Sequence, residues 1–256
     1  MILVDQSSSM EAMNGTEKKS VLAADAVNRA LYEIILSCQA GGRVKDRCFI
    51  GVVGYGEKVN AILGDMISKV AENPIAVKKV KKKEPDGAGG LVELEVEMPI
   101  WLKPTAANGT PMAEAFAAAA VVIQEWIKTN PSSFPPVVIN ITDGEPNDTK
   151  QGFVETKAAA KKLTDLRTAD GNVLLLNAHI SDANAGEHRL PATENGLNDN
   201  YAKFLFNISS VLPEPLFKSA EQVGFAPQSG AHGFVFNAGA ETMIKLLSFG
   251  SMGTLR

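Results

Sequence analysis

The chain has 256 residues, a formal net charge of -4 at pH 7, and a composition that is 45% hydrophobic and 21% charged. These values are typical of a globular protein, and a chain of this length buries enough surface to fold without disulfide bonds. The negative net charge disfavours nonspecific binding to nucleic acids, which requires a basic surface. We therefore expect no nucleic-acid partner.

No apolar run reaches the ~18 residues that a membrane-spanning helix needs, and Met1–Asp5 is too short for the apolar part of a signal peptide. The expectation is a cytoplasmic protein with no membrane partner. The only two cysteines, Cys38 and Cys48, are predicted to be reduced thiols in the core.

Apolar and amphipathic segments alternate along the chain. In chain order, the predicted elements are a strand at Ile2–Val4, a helix at Glu17–Cys38, a strand at Cys48–Val53, a helix at Met112–Lys128, a strand at Val137–Ile141, a helix at Gly152–Thr168, a strand at Val173–Ala178, a helix at Glu214–Val223, a strand at Gly233–Asn237 and a helix at Glu241–Phe249. This alternation predicts an α/β fold, with one doubly wound, mostly parallel, Rossmann-like sheet between two layers of helices and residues 1–256 in a single domain. In such sheets, ligands bind beyond the carboxyl ends of the strands, where the winding direction reverses.

One segment, Ile75–Ile100, breaks the alternation and is predicted to be an inserted β-hairpin. Two sets of residues alternate in its second half, the apolar Val92, Leu94, Val96 and Met98 and the acidic Glu93, Glu95 and Glu97. The segment Glu84–Gly90 contains the Pro, Asp and Gly residues that turns require. Across the hairpin, the lysines of the basic run 78–83 would lie opposite these glutamates. The alternative is that the basic run binds nucleic acid or anionic lipid.

Three polar loops adjoin the predicted elements. Asp5-Gln6-Ser7-Ser8-Ser9 follows the first strand, Asn108-Gly109-Thr110-Pro111 precedes the Ala-rich helix, and Thr142-Asp143-Gly144-Glu145 follows the strand Val137–Ile141. Their carboxylates and hydroxyls are hard oxygen ligands, which suit Mg²⁺, Mn²⁺ or Ca²⁺ and not zinc or copper. A cation held mainly by neutral hydroxyls keeps much of its charge, so it attracts a carboxylate from outside the protein.

Each loop on its own also has a purely local interpretation. Asp5 could form a turn with its own backbone, and Asp143-Gly144 is typical of a turn after a strand. Thr110 could cap the following helix, with Pro111 as the first helical residue. The order of the three loops, and their predicted position at the ends of neighbouring strands, favour a metal site.

The combination of these loops resembles the metal-ion-dependent adhesion site of von Willebrand factor A domains, which has an Asp-x-Ser-x-Ser motif, then a Thr before a helix, then an Asp after a strand. The resemblance covers nearly the whole chain except residues 75–100. The segments Gly109–Met112 and Thr142–Pro146 are similar to the intracellular bacterial branch that includes tellurite-resistance-type proteins.

This resemblance implies roles for five residues. Ser7, Ser9 and Thr110 would coordinate the metal directly, and Asp5 and Asp143 would act directly or through water. The sequence departs from the family at the residue between the two serines, where Ser8 stands in place of the usual Gly. If that position needs the positive φ that Gly allows, Ser8 costs about 1 kcal/mol.

The resemblance also implies a function. We expect a non-enzymatic module that uses Mg²⁺ to bind an Asp or Glu of a protein partner, as an intracellular adaptor in a stress or signalling system with kinase- or phosphatase-type partners. The alternative is a metal-dependent hydrolase, which needs a general base near the metal. His179 is the candidate base, although a structural or solvent-facing role is favoured. The polar segment Ser181–Asn200 either selects partners and covers the site, or is disordered.

Overall fold

The computed structural model describes residues 1–85, 90–181 and 186–252 of the chain. The strands that we label are β1 Ile2–Asp5, β2 Phe49–Tyr55, β3 Val59–Met66, β4 Ala76–Pro85, β5 Leu91–Ile100, β6 Val137–Thr142, β7 Leu174–His179, β8 His188–Arg189 and β9 Phe234–Phe236. The helices are α1 Lys19–Ser37, α2 Ile67–Glu72, α3 Met112–Thr129, α4 Val154–Asp165, α5 Asn200–Ile208, α6 Phe217–Gln222 and α7 Ala240–Met252. Short antiparallel pairs form between Met13–Asn14 and Glu17–Lys18, Gln39–Ala40 and Arg43–Val44, and Arg167–Thr168 and Gly171–Asn172. Single 3₁₀ turns span Ser8–Glu11, Thr149–Gln151 and Glu214–Leu216.

Seven of the strands form a central, mostly parallel sheet in the order β8-β9-β7-β6-β1-β2-β3. The five inner strands run parallel to one another, and the edge strands β3 and β8 are antiparallel to their neighbours. From β1 the chain winds outward to β2 and β3, and then returns to the other side of β1 at β6. The winding therefore reverses between β1 and β6, which confirms the predicted sheet. Open α/β sheets in general bind ligands at the edge where the winding reverses.

Helices cover both faces of this sheet. Ile139 and Ile141 of β6 belong to the apolar core shared with α1 and α7, whereas Val138 belongs to the core shared with α3, α4 and α5. Because successive side chains of a strand point to opposite faces, a strand buried on both faces is a continuous apolar run. This is the pattern that the sequence carries at β1, β2, β6 and β7. Cys38 and Cys48 are both buried and free, as predicted.

A line of buried polar side chains crosses the face that packs against α3 and α5. The Tyr55 hydroxyl donates to Oδ1 of Asn140 at 2.6 Å, and Nδ2 of Asn140 donates to Oδ1 of Asn177 at 3.0 Å. Nδ2 of Asn177 donates in turn to Oγ of Ser209 at 2.9 Å. These contacts connect β2, β6, β7 and the end of α5, so each polar group has a partner despite its burial.

The predicted hairpin is confirmed as β4 and β5, which form an antiparallel sheet of their own between α2 and α3. Of its predicted turn, residues 86–89 lie outside the described residues. Lys79 is opposite Glu97 in the register, but the side chains pair diagonally: Lys79 with Glu95 at 3.4 Å and Lys81 with Glu93 at 3.1 Å. The diagonal neighbours are within reach of long side chains.

Several elements differ from the sequence prediction. The strand β3 and the helices α2 and α5 were not predicted, and β8 is a strand within the segment expected to be a loop, Ser181–Asn200, of which residues 182–185 lie outside the described part. Pro111 is the residue before α3, not its first helical residue. Glu214–Val223 is divided into a 3₁₀ turn followed by α6. In the described part of the chain, no helix has both the length and the apolar character that crossing a membrane requires.

Candidate metal site

The carboxylate of Asp5 lies at the point where the sheet reverses its winding. Asp5 is the last residue of β1 and is only 1% exposed. Its Oδ1 accepts a hydrogen bond from the Ser7 amide at 2.8 Å, and its Oδ2 accepts one from the Thr142 hydroxyl at 2.6 Å. Burial raises the pKa of Asp5 from 3.8 to about 6, although these hydrogen bonds oppose the rise. The hydrogen bond from the Ser7 amide is the local turn that was considered from the sequence. This turn is present together with the contact to Thr142, so the local interpretation and the site do not exclude each other.

Hydrogen bonds between side chains connect Asp5's loop to Asp143. The hydroxyls of Ser7 and Ser9 lie 2.9 Å apart, and the Ser9 hydroxyl donates to Oδ1 of Asp143 at 2.8 Å. Ser7 is the extended residue directly before the 3₁₀ turn Ser8–Glu11, and Ser9 lies within that turn. Four of the five predicted residues therefore form one connected group.

The expected backbone cost at Ser8 is wrong. Ser8 is the first residue of the 3₁₀ turn and is not among the non-glycine residues with positive φ. Its hydroxyl donates to Oδ1 of Asn108 at 3.0 Å, so it connects this loop to the segment before α3. A turn of this type suits a serine as well as a glycine, because its backbone angles are in the right-handed region.

Thr110, the fifth predicted residue, lies on the segment that runs alongside the Asp5 loop. Ala107 pairs with Ser7 in a parallel bridge, and its amide donates to the Gln6 carbonyl at 2.6 Å. Asn147 holds the backbone of Thr110 by two hydrogen bonds. The Thr110 backbone amide donates to Oδ1 of Asn147 at 2.8 Å, and the Asn147 backbone amide donates to the Thr110 carbonyl at 3.1 Å. The sequence prediction did not include Asn147, whose position just after Asp143 was the available signal.

A lysine that the sequence analysis did not identify lies inside this group. Nζ of Lys19 is 3.1 Å from Oδ2 of Asp143, and the two side chains are each only 4% exposed. Lys19 is the first residue of α1, three and four residues before the buried Leu22 and Ala23. That spacing places it on the buried face of the helix, so the sequence contained a signal for its burial.

His179 lies directly under the Asp143 loop. It is the last residue of β7 and is 3% exposed, so of the two favoured positions, structural or solvent-facing, it has the structural one. Its Nε2 is 3.2 Å from the Asp143 carbonyl, and its ring stacks on Phe236 at 5.2 Å. Burial lowers the pKa of His179. Its Nδ1 has no hydrogen-bond partner among the described residues.

Gly144 makes this close packing possible. Its φ is +126°, and a Cβ atom at this position would lie 2.8 Å from Nε2 of His179 and 3.3 Å from Cβ of Tyr201. Any other residue would therefore combine an unfavourable backbone conformation with a steric clash. Gly144 lets the loop approach His179 and so sets the position of Asp143.

A surface groove adjoins the site on the side of Tyr201. The ring of Phe153 meets Tyr201 edge-on at 6.1 Å and stacks on Phe204 at 4.2 Å. The groove is lined by Thr149, Phe153, Lys157, Asn198, Asp199, Asn200, Tyr201, Phe204 and Asn207. Its Asn198–Asn200 wall belongs to the long polar segment, and Asp199 caps α5 through the amides of Tyr201 and Ala202. The described end of that segment therefore lies beside the candidate site.

The donor set fits a hard cation held mainly by hydroxyls. In residues 1–85, 90–181 and 186–252, no group of three or more His, Cys, Asp or Glu side chains is placed to hold a metal. A site of that kind would be dominated by charged ligands, whereas the predicted set contributes three hydroxyls and two carboxylates. The Lys19 ammonium already shows that this cluster accommodates a positive charge against Asp143. The residues therefore fit a small divalent cation.

No protein-family model matches the chain, and no curated protein matches it. Among solved structures, it is similar to the crystal structure of an aerotolerance-related membrane protein from Bacteroides fragilis NCTC 9343, with a TM-score of 0.35 and 12% sequence identity. The match covers 70% of this chain and 65% of that chain, so this chain spans less than two thirds of that structure. A likeness of this size supports no conclusion about function.

Proposed function

We propose that the chain is a von Willebrand factor A-type domain that binds an acidic residue of a protein partner through a divalent cation, Mg²⁺ in the first place. The observation that carries this proposal is the hydrogen-bonded chain from Asp5 through Ser7 and Ser9 to Asp143, at the point where the sheet reverses. Sheets of this type bind their ligands at that edge.

We assign the roles within the site from the resemblance of the motifs, together with the hydrogen bonds. The hydroxyls of Ser7, Ser9 and Thr110 would hold the cation directly, and the carboxylate of Asp143 orients the Ser9 hydroxyl. Asp5 fixes the turn through the Ser7 amide. When bound, a cation with such neutral ligands supplies an electrophilic position for an incoming carboxylate.

We propose binding and not catalysis. His179, the candidate general base, is buried, and its Nε2 lies against the Asp143 carbonyl. A lowered pKa keeps its ring neutral, but the ring is enclosed between the Asp143 carbonyl and Phe236 and is only 3% exposed. A hydrolase would need a base positioned towards the space where a substrate would meet the hydroxyls.

The class of partner is also a proposal. The resemblance of the motifs to the intracellular bacterial branch supports an adaptor in a stress or signalling system, with kinase- or phosphatase-type partners. The groove beside Tyr201, which the aromatic ring of Phe153 also lines, offers a surface for the residues around the partner's carboxylate.

The first test is metal binding by the protein alone. At a hundredfold excess over its Kd, a cation stabilises the folded state by about 2.7 kcal/mol, which corresponds to roughly 5–10 °C in Tm for a chain of this size. Ser7→Ala should lose this shift. Ser8→Ala is the matched control, because the Ser8 hydroxyl donates to Asn108 and is outside the proposed ligand set. Equal melting curves of the wild type in Mg²⁺, Mn²⁺ and EDTA would contradict the proposal.

The second test concerns the acidic partner residue. On an array of short peptides, binding in Mg²⁺ that is lost in EDTA should be confined to peptides that contain Asp or Glu. Replacement of that residue by Asn or Gln should abolish binding, because the neutral side chain cannot supply an anionic oxygen. Peptides that bind equally in EDTA would show that the surface recognises its partners without a metal.

A further inference from the structure

We infer that Lys19 is an internal counter-ion that competes with the divalent cation for Asp143, so that the Lys19–Asp143 ion pair and metal binding exclude each other. This inference rests on the proposed metal site, and it adds a residue that would lower the affinity of that site for the cation. It concerns a residue that takes no part in the ligand set derived from the motifs.

The contacts of Asp143 carry the inference. One carboxylate oxygen accepts from the Ser9 hydroxyl at 2.8 Å, and the other lies 3.1 Å from Nζ of Lys19. The first contact points into the hydroxyl cluster, and the second neutralises the carboxylate from the side of α1. With both oxygens engaged, Asp143 is already satisfied in the metal-free protein.

Burial makes this ion pair different from those on the surface. The neighbouring pair of Lys18 with Glu11 has side chains that are 49% and 53% exposed, whereas Lys19 and Asp143 are each 4% exposed. Charges interact more strongly where water is excluded. A divalent cation placed beside Asp143 would therefore be repelled strongly by the Lys19 ammonium, and the lysine has to leave for the metal to bind.

The position of Lys19 makes its departure feasible. It is the first residue of α1, next to the exposed Lys18, and its ammonium is carried on a flexible chain of four methylene groups. The site then has two states, one closed by Lys19 and one open to the cation. Since only the open state binds metal, the apparent Kd is raised by the factor by which that state is depleted.

The test is a titration of the protein with Mn²⁺ alone. Binding is measured by calorimetry and, independently, by the electron paramagnetic resonance signal of the free ion. Lys19→Met removes the ammonium and keeps a flexible apolar chain, and we expect it to bind Mn²⁺ at least about tenfold more tightly than the wild type, because breaking a buried ion pair is costly. Lys18→Met is the matched control, since it removes the same charge one residue away. It should bind Mn²⁺ within about twofold of the wild type, as expected for a screened surface charge.

The outcomes separate the inference from the proposed function. If the wild type binds Mn²⁺ and Lys19→Met binds it equally or more weakly, the competition is refuted and the metal site stands. If Lys19→Met and Lys18→Met tighten binding equally, the effect is one of general charge and the competition is refuted as well. If neither the wild type nor Lys19→Met binds Mn²⁺, both ideas fail. Should Lys19→Met not fold in EDTA, Lys19→Gln takes its place, because its amide can still donate to Asp143.

Discussion

The burial of Asp5 leads to a prediction about the metal-free protein. Its pKa is about 6 in the folded state and has the ordinary value of 3.8 in the unfolded chain. Between these two values the folded protein keeps a proton that the unfolded chain has lost. The stability that depends on this proton is therefore fully present below about pH 3.8 and is lost as the pH rises through about 6.

The size of the effect follows from the same two values. Their difference is about 2, and each step of one corresponds to about 1.4 kcal/mol, so ionisation of Asp5 destabilises the metal-free fold by about 3 kcal/mol. Asp5→Asn replaces the carboxyl group by a neutral group of the same shape. The variant should therefore become more stable relative to the wild type, by about that amount, as the pH rises from 4 to 7.5.

The assay is urea denaturation in EDTA over this pH range, with the exposed Asp170→Asn as the control that should show no such change relative to the wild type. Excess Mg²⁺ at pH 7.5 should reverse the order, because a cation favours the ionised Asp5 of the wild type. Parallel pH curves for the wild type and Asp5→Asn would refute the reasoning, since they would mean that Asp5 ionises as easily in the folded as in the unfolded protein.

Three further predictions concern the loops and the hairpin. Gly144→Ala should lower the free energy of unfolding by about 2–4 kcal/mol in urea denaturation, because it combines an unfavourable φ with a clash against His179; a neutral result would show that the loop can move away. Ser8→Gly should lower the stability by about 1 kcal/mol and should not improve Mn²⁺ affinity, because it removes a hydrogen bond and frees the unfolded chain; tighter metal binding would mean that this position does need positive φ. Lys79→Gln combined with Lys81→Gln should change the stability by less than about 1 kcal/mol, as expected for exposed ion pairs. In a filter-binding assay at low salt, DNA or RNA binding that this double variant abolishes would instead make the hairpin a nucleic-acid surface.

The fold could be predicted where burial alone determines the sequence pattern. The strands β1, β2, β6 and β7 are covered on both faces, and their continuous apolar runs are visible without any structure. The edge strand β3 was not predicted, because most of its residues are only half-buried or exposed and it has no clear pattern. The helix α5 was hidden because it begins inside a segment whose polar composition suggested a loop, where Asp199 is its cap.

The residues of the candidate site could be predicted only where the ligand types occur in the order of a known sequence motif. Asp5, Ser7, Ser9 and Asp143 could be identified from two short motifs, and the sheet topology explains why they meet. Lys19 could not be identified in that way, because the motifs describe ligands and a counter-ion is not a ligand. Its role depends on a contact between residues 124 positions apart, which only the packing of α1 against the end of β6 reveals.

The buried polar line through Asn140 and Asn177 has a consequence for how the sheet assembles. The strands β1, β6 and β7 consist largely of Val, Ile and Leu, so apolar burial alone distinguishes poorly between one alignment and the next. A slip of β6 by one residue would turn Asn140 to the opposite face, among the apolar side chains beside α1 and α7. Each amide left without a partner there would cost about 1–3 kcal/mol. The two asparagines thus favour one strand register over its neighbours. In that register the carboxyl ends of the strands are aligned, which places Asp5 and the Asp143 loop side by side at the edge of the sheet.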